Sequence, residues 1–323
     1  MDKRNTDLEQ IREFLLAAAG PVYITSHPFP DGDSIGSTVG LYHYLTARGV
    51  QAFPVLPGPV PEVYEFLVSG LELLHPPLNV QGEIVVVLDC SDLKRLQDWG
   101  QLLAEAAWVI NIDHHLNNDF FGDMNYVDPS AAAVGQILHN MFADTQYSQA
   151  VAQALFTALF TDTGRFSFSN TDASVLRAGA RMVELGASPS GVFNSVYQNR
   201  SGNYYYFLSE ALAKIERLFE GRVAVLPLER ELLAKYGLEE WELDDLNDYP
   251  RSLKGVILSV VLKETEDNGI KVSLRSTGQL NVAAIAKDLG GGGHHNAAGA
   301  TLPLSMAEAK AKLACRLAEE FEQ

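Results

Sequence analysis

An α/β fold is predicted: a doubly wound parallel-sheet domain followed, across a linker, by a smaller α/β domain. Three observations predict it. Short apolar runs alternate with helical periodicity through the first half of the chain. One of those runs, Ile84-Val85-Val86-Val87-Leu88, is apolar at every position, as a parallel strand covered by helices on both faces must be. Beyond Ala187 the pattern loses its strands, turns polar around Pro189, Gly191 and Gly202, and resumes with a different texture. The expected division is a first domain over 1–187, a partly helical linker over 188–204 and a second domain over 205–323, which suits a length of 323 residues at roughly 150 per domain.

Residues 8–19 carry apolar side chains at helical spacing (Ile11, Phe14, Leu15, Ala18) and stop at Gly20. Val22-Tyr23-Ile24-Thr25 reads as a buried strand, followed by a polar turn and a helix from about Ser34 to Ala47. Strands are expected at 51–55, 84–88 and 108–112, and helices at 131–142 and 150–160. In the second domain, 222–227 reads as a strand, and 255–262 with 271–275 as a hairpin around Asp267-Asn268-Gly269. Residues 306–321 form an amphipathic helix.

Hydrophobic residues at 47% and charged residues at 20% are too apolar a mixture for a disordered chain. Lys and Arg number 24 against 41 Asp and Glu, a net charge of −17, which argues against coating long duplex nucleic acid through a general basic field. Short nucleotides in a locally positive pocket remain compatible with it. No membrane or export segment is expected: Met1 to Asp7 lacks an apolar run, and the longest stretch free of Asp, Glu, Lys and Arg, 289–307, holds a glycine run, two histidines and Asn296. Cys90 and Cys315 match no CxxC spacing, so a cytoplasmic location is the expectation.

Asp and His gather at the carboxyl ends of the expected strands. His27-Pro28-Phe29-Pro30-Asp31-Gly32-Asp33 follows the first, Asp89 the third and Asp113-His114-His115 the fourth, and Thr161-Asp162-Thr163-Gly164-Arg165 closes a helix. Ligands of open α/β sheets bind outside these strand ends. Carboxylates crowded there would repel one another unless cations held them. A single Asp-Gly-Asp is usually only a turn, and a single His-His pair is more often structural than a ligand set. Four such clusters, each at an element end, point to a common site. Carboxylates with a few imidazoles suit Mn²⁺ or Mg²⁺ better than a structural zinc site, and two ions about 3.5–4 Å apart are the usual device for splitting phosphate esters.

These four clusters resemble, in order, the four motifs of the DHH phosphoesterases. The resemblance implies a DHH catalytic domain in which His27, Asp31 and Asp89 hold one metal, while Asp33, Asp89, His114 and Asp162 hold the other, Asp89 bridging. It places His115 beside the scissile phosphate and Asp113 behind the histidines; Arg165, outside that mapping, is expected to stabilise charge on the phosphoryl oxygens if it faces the cleft. Two Mn²⁺ per site are implied, with Mg²⁺ or Co²⁺ as alternatives. Gly290-Gly291-Gly292-Gly293-His294-His295-Asn296-Ala297-Ala298-Gly299 is similar to the glycine-rich loop of DHHA1 domains. Consecutive glycines let backbone N–H groups approach an anion. Gly291, Gly292, Gly293 and His294, with Arg275 and Ser276 at the end of the preceding strand, are therefore the expected substrate-binding set, clamping the distal nucleotide. The Ser-Arg-Lys motif of DHH-type pyrophosphatases is absent from the chain. The two-domain layout is most similar to bacterial nano-RNases that also hydrolyse pAp. That implies a hydrolase of short single-stranded oligoribonucleotides (two to five nucleotides), dinucleotides and pAp, with no long duplex and no membrane as partner, and a homodimer carried over from the family. The alternatives are a phosphodiesterase for linear or cyclic dinucleotides (pApA, pGpG, cyclic-di-AMP) and, in another class, a nucleotide-binding regulator without turnover.

Overall fold

The computed structural model describes residues 5–76, 78–96, 100, 103–142, 146–238 and 240–321. The chain divides into two compact units, Met1–Asn199 and Arg200–Gln323.

The first unit is built on a parallel sheet of β1 (Val22–Thr25), β2 (Ala52–Val55), β3 (Ile84–Leu88), β4 (Trp108–Asp113) and β5 (Met124–Val127), in the order β2-β1-β3-β4-β5. From β1 the chain first moves outward to β2, then returns to lay β3 on β1's other side. That reversal opens a crevice at the carboxyl ends of β1 and β3. The strands are where the apolar runs placed them, because a strand buried on both faces leaves an unbroken apolar signature: Val85 to Leu88 are all fully buried. The strand β5 lies outside the sequence expectation. It is four residues long, alternates with polar Asn125, and stands at the sheet edge, where Asn5 and Thr6 cover it: Asn5 Nδ2 donates to Val127 O (2.8 Å) and Asn5 Oδ1 accepts from Val127 N (3.0 Å).

Helix α1 (Leu8–Leu16) is capped by Asp7, which accepts from Glu9 N and Gln10 N. Helix α2 (Gly32–Thr46) begins two residues before the expected start, because Asp31 closes a capping box with Ser34. It crosses α4 (Gln149–Asp162) at close range: a Cβ on Gly36 would stand 2.5 Å from Ala154 O, and one on Gly40 2.6 Å from Leu155 Cδ2. Helix α3 (Val134–Phe142) starts three residues later than expected, and α5 (Ala173–Glu184) falls in a stretch left unassigned by the sequence. The polar stretch after Ala187 contains α6 (Pro189–Tyr197), capped by Ser188, before α7 (Gly202–Leu212) opens the second unit.

The second unit holds a six-stranded sheet of β6 (Glu216–Leu218), β7 (Val223–Leu228), β8 (Leu258–Glu264), β9 (Ile270–Ser276), β10 (Gly292–His294) and β11 (Ala297–Leu302), ordered β10-β11-β9-β8-β7-β6 and antiparallel except between β7 and β8. Its two faces follow the strand period of two. Val223, Val225, Val260 and Leu274 pack on Leu313 and Leu317 of α8 (Met306–Phe321), while Leu226, Leu228 and Val261 belong to a core with Phe207 and Leu232 on the other face.

The expected glycine loop is in part a strand. Gly292–His294 pairs with Ala297–Gly299, and the glycines are what permit it: a Cβ on Gly291 would lie 2.0 Å from Gly299 O, and Gly293 adopts φ +142°.

Candidate metal centre

Strands β1, β3 and β4 and the helix α4 each deliver one part of the site. His27 lies just past β1 and is buried, Asp31 caps α2, and Asp33 sits in that helix's first turn. Asp89 follows β3 in the left-handed region (φ 53°), a conformation that Asp tolerates better than most residues. Asp113 is the last residue of β4, so His114 and His115 step off its end. Asp162 is the last residue of α4, where the helix dipole disfavours a negative charge.

The side chains converge. His27 Nε2 is 3.5 Å from Asp89 Oδ2 and 3.9 Å from Asp31 Oδ2. His114 Nε2 is 3.6 Å from Asp89 Oδ1, 3.6 Å from Asp162 Oδ2 and 3.9 Å from Asp33 Oδ2. His115 Nδ1 is 3.6 Å from Asp89 Oδ1 but donates to Asp113 Oδ1 at 2.8 Å. Three overlapping groups could each hold a cation: His27, Asp31 and Asp89; Asp33, His114 and Asp162; and Asp89, His114 and His115.

The surroundings fix these groups from behind. Asp33 accepts from Val134 N (2.7 Å), Gly135 N (3.0 Å) and Ser37 Oγ (2.9 Å), anchoring it on the amino end of α3. His114 Nδ1 donates to Ala131 O at 3.2 Å, which turns Nε2 toward the carboxylates. Two residues that the sequence did not single out complete the frame. Asn118 Nδ2 donates to Asp113 Oδ2 at 2.6 Å and to Asn111 Oδ1 at 2.9 Å, and Asn111 Nδ2 donates to Cys90 O at 3.1 Å.

Without a cation the cluster is electrostatically strained. Burial, reinforced by Asp89 and Asp162, holds the Asp33 carboxyl well above the usual range. Burial also lifts Asp162 to about 7, with Asp31 and Asp89 adding to it against His114. Burial alone would lower His114, but Asp162, Asp89, Asp33 and Asp113 push it up to about 10. Burial likewise opposes the charged forms of Asp89 and His115. The three histidines nonetheless hold Asp89 below its ordinary value, and Asp113 with Asp89 raises His115.

The donors fit divalent cations. Asp89 Oδ1 is buried without a hydrogen-bond partner, although two imidazole nitrogens lie 3.6 Å away. Separations of this size are too long for hydrogen bonds, yet suit ligands that share an ion through bonds of about 2.1 Å, which stand about 3.0 to 3.7 Å apart.

Arg165 lies three residues beyond Asp162 at φ 65°, with its guanidinium 4.6 Å from the centre of the Tyr197 ring. The expected substrate-binding residues belong to the second unit. Ser276 Oγ donates to Leu280 O (2.7 Å) and accepts from Asn296 Nδ2 (3.0 Å), and Arg275 Nη1 donates to Leu274 O (3.1 Å). Gly292 and Gly293 form the edge strand β10, and Gly291 precedes it. The side chain of His294 lies outside the described residues.

Fold and site together define a two-unit α/β protein with a candidate centre for two cations at the switch point of its first sheet. Residues 21–161 match the DHH family, N-terminal domain, and residues 221–323 the DHHA1 domain. The bifunctional oligoribonuclease and PAP phosphatase NrnA of Thermus thermophilus is 35% identical over 90% of this chain and 87% of its own length. The cyclic-di-AMP phosphodiesterase PdeA of Listeria monocytogenes is 24% identical over 95% of this chain and 48% of its own length. The crystal structure of an exopolyphosphatase-related protein from Bacteroides fragilis shares the fold, with a TM-score of 0.87 over 97% of this chain and 95% of that one, at 24% identity. The chain belongs to the DHH/DHHA1 phosphoesterase family.

Proposed function

We propose that the protein is a two-metal phosphoesterase that hydrolyses oligoribonucleotides of two to five nucleotides to mononucleotides and removes the 3′-phosphate of pAp. The observation that carries this reading is the convergence of His27, Asp31, Asp33, Asp89, His114 and Asp162 on overlapping ligand sets. In the proposal His27, Asp31 and Asp89 hold one ion, and Asp33, Asp89, His114 and Asp162 the other. Mn²⁺ suits this mixed carboxylate and imidazole set, with Mg²⁺ or Co²⁺ as substitutes. When bound, such ions make water acidic enough to attack phosphorus near neutral pH and neutralise charge on the phosphoryl oxygens.

The chain's own residues do the rest. Asp113 accepts a hydrogen bond from Nδ1 of His115 and so orients the ring, whose Nε2 would meet a phosphoryl or leaving oxygen. Asn118 holds the other Asp113 oxygen and keeps that pair in register. Arg165, whose guanidinium lies over the Tyr197 ring, would add positive charge for the phosphoryl oxygens. Arg275, Ser276 and the backbone of Gly291 to Gly293, with His294, would bind a second part of the substrate. The name of the Thermus thermophilus relative supports the substrate class, and two cysteines without CxxC spacing support a cytoplasmic setting. A second reading, a phosphodiesterase for linear or cyclic dinucleotides, is favoured by the similarity to the Listeria monocytogenes protein.

The test is hydrolysis by the purified protein in Mn²⁺ of pAp, pApA, pGpG, a five-nucleotide RNA and cyclic-di-AMP. Phosphate release from pAp and mononucleotides from the short RNA are expected, with kcat/KM about 10³-fold lower in Asp89→Asn, which weakens a ligand common to both ions. Turnover of dinucleotides alone would transfer the assignment to the second reading. No Mn²⁺-dependent hydrolysis of any of them would overturn both.

A further inference from the structure

We propose that Phe29 is the platform on which the base of the nucleotide held at the metal centre stacks; this rests on the phosphoesterase reading above. Phe29 is 77% exposed, more than Leu116 at 66% or Leu176 at 53%. Single exposed apolar residues are ordinary on protein surfaces. Its place in the chain is what sets Phe29 apart. It is the middle residue of the segment joining His27 to Asp31, two members of one cation-holding group, so its Cα lies no more than about 7 Å from either of theirs. A nucleotide whose phosphate sits at that group carries its base one ribose away, within reach of an aromatic ring anchored there.

The loop is also built to hold the backbone of Phe29 still. Pro28 and Pro30 flank Phe29 and fix their own φ angles. Gly58 packs so closely behind them that a Cβ there would stand 2.2 Å from Pro28 O and 3.3 Å from Pro30 Cδ. A pre-ordered backbone leaves less entropy to lose when a base settles on the side chain it carries. Phenylalanine offers a π-face and no hydrogen-bonding group, so it grips every base without reading its identity. That is the tolerance needed to degrade short RNA of any sequence.

The experiment compares Phe29→Ala, Phe29→Trp and the exposed control Leu176→Ala, all loaded with Mn²⁺, on a dinucleotide and on its abasic counterpart with the same phosphates and riboses. Phe29→Ala should raise KM for the base-bearing substrate about 5- to 150-fold, the worth of one base–aromatic stack, with little change in kcat and none on the abasic substrate. Phe29→Trp should keep the low KM, and its added fluorescence should be quenched by AMP but not by ribose 5-phosphate. Leu176→Ala should match the parent. Equal effects of Phe29→Ala on both substrates, or none on either, would overturn the stacking role, as would equal quenching by AMP and ribose 5-phosphate. If the parent protein hydrolyses neither substrate, the phosphoesterase reading fails, and the fluorescence comparison still decides whether a base stacks on residue 29.

Discussion

Asp162 stands at the carboxyl end of α4, where burial, with Asp31 and Asp89 adding to it against His114, lifts its carboxyl to about 7. In the metal-free protein its ionisation therefore works against folding. A carboxyl whose folded pKa is raised contributes stability below the ordinary carboxylate pKa of about 4 and loses it as pH rises through about 7. Asp162→Asn removes that loss. In chelator, its melting temperature should exceed the parent's at pH 8, with the difference shrinking toward pH 5. Added Mn²⁺ should raise the parent's melting temperature at pH 8 and raise the variant's less, because binding to the folded form is what stabilises it. Scanning calorimetry at the two pH values checks this, and a variant less stable than the parent in chelator at pH 8 would show that the cluster is not strained by charge. The convergence of these Asp and His residues was legible in the sequence because they gather at the ends of three strands and one helix. Asn111 and Asn118 were not. A buried amide that only orients a neighbour leaves no periodicity and no charge pattern, and its importance shows only once 2.6 Å separates it from Asp113.

At the level of elements, the close contact of α2 with α4 decides where two of the carboxylates stand, since Asp33 opens one helix and Asp162 closes the other. Gly36 makes that contact. Replacing it by Ala gains about 1 kcal/mol of helix propensity. The new Cβ, however, would lie 2.5 Å from Ala154 O and 2.9 Å from Ala158 N, both backbone atoms that cannot rotate away. Overpacking of this kind costs about 1–3 kcal/mol, so Gly36→Ala should be net destabilising in urea titrations and should also weaken Mn²⁺ binding as the helices part. A variant more stable than the parent would mean the helices separate freely. The buried strands were legible nearly to the residue, because parallel strands between helix layers are continuous in apolar character. The strand β5 was missed for the opposite reason, being short, half polar and on an edge. Helix α5 went unassigned because its buried stripe (Val175, Ala178, Gly179, Met182) includes small residues that blur the apolar period. The strand character of Gly292–His294 was hidden because glycine has no side chain to betray alternation; only its pairing with Ala297–Gly299 reveals it.

For the molecule as a whole, a net charge of −17 sets the size of nucleic acid it can use. Long strands bind proteins through many phosphate contacts and the counterions these release, each contact on a single strand steepening the fall of log affinity with log salt by about 0.7. An acidic surface offers few such contacts. On the proposed reading, binding would come instead from local groups: cations at the centre that offset its carboxylates, Arg275 with the glycine backbone of the second unit, and the proposed stack on Phe29. If one or two phosphates are gripped in this way, log(kcat/KM) for a trinucleotide should fall with log salt at a slope of about −0.7 to −1.4. Lengthening the RNA to twenty nucleotides should make that slope shallower while kcat/KM itself declines, because added phosphates meet a surface of their own sign and salt screens the repulsion. Initial rates between 50 and 300 mM salt at saturating Mn²⁺ measure both. A slope that steepens with each added nucleotide would reveal an extended basic track, and with it a protein that works along long strands rather than on their remnants.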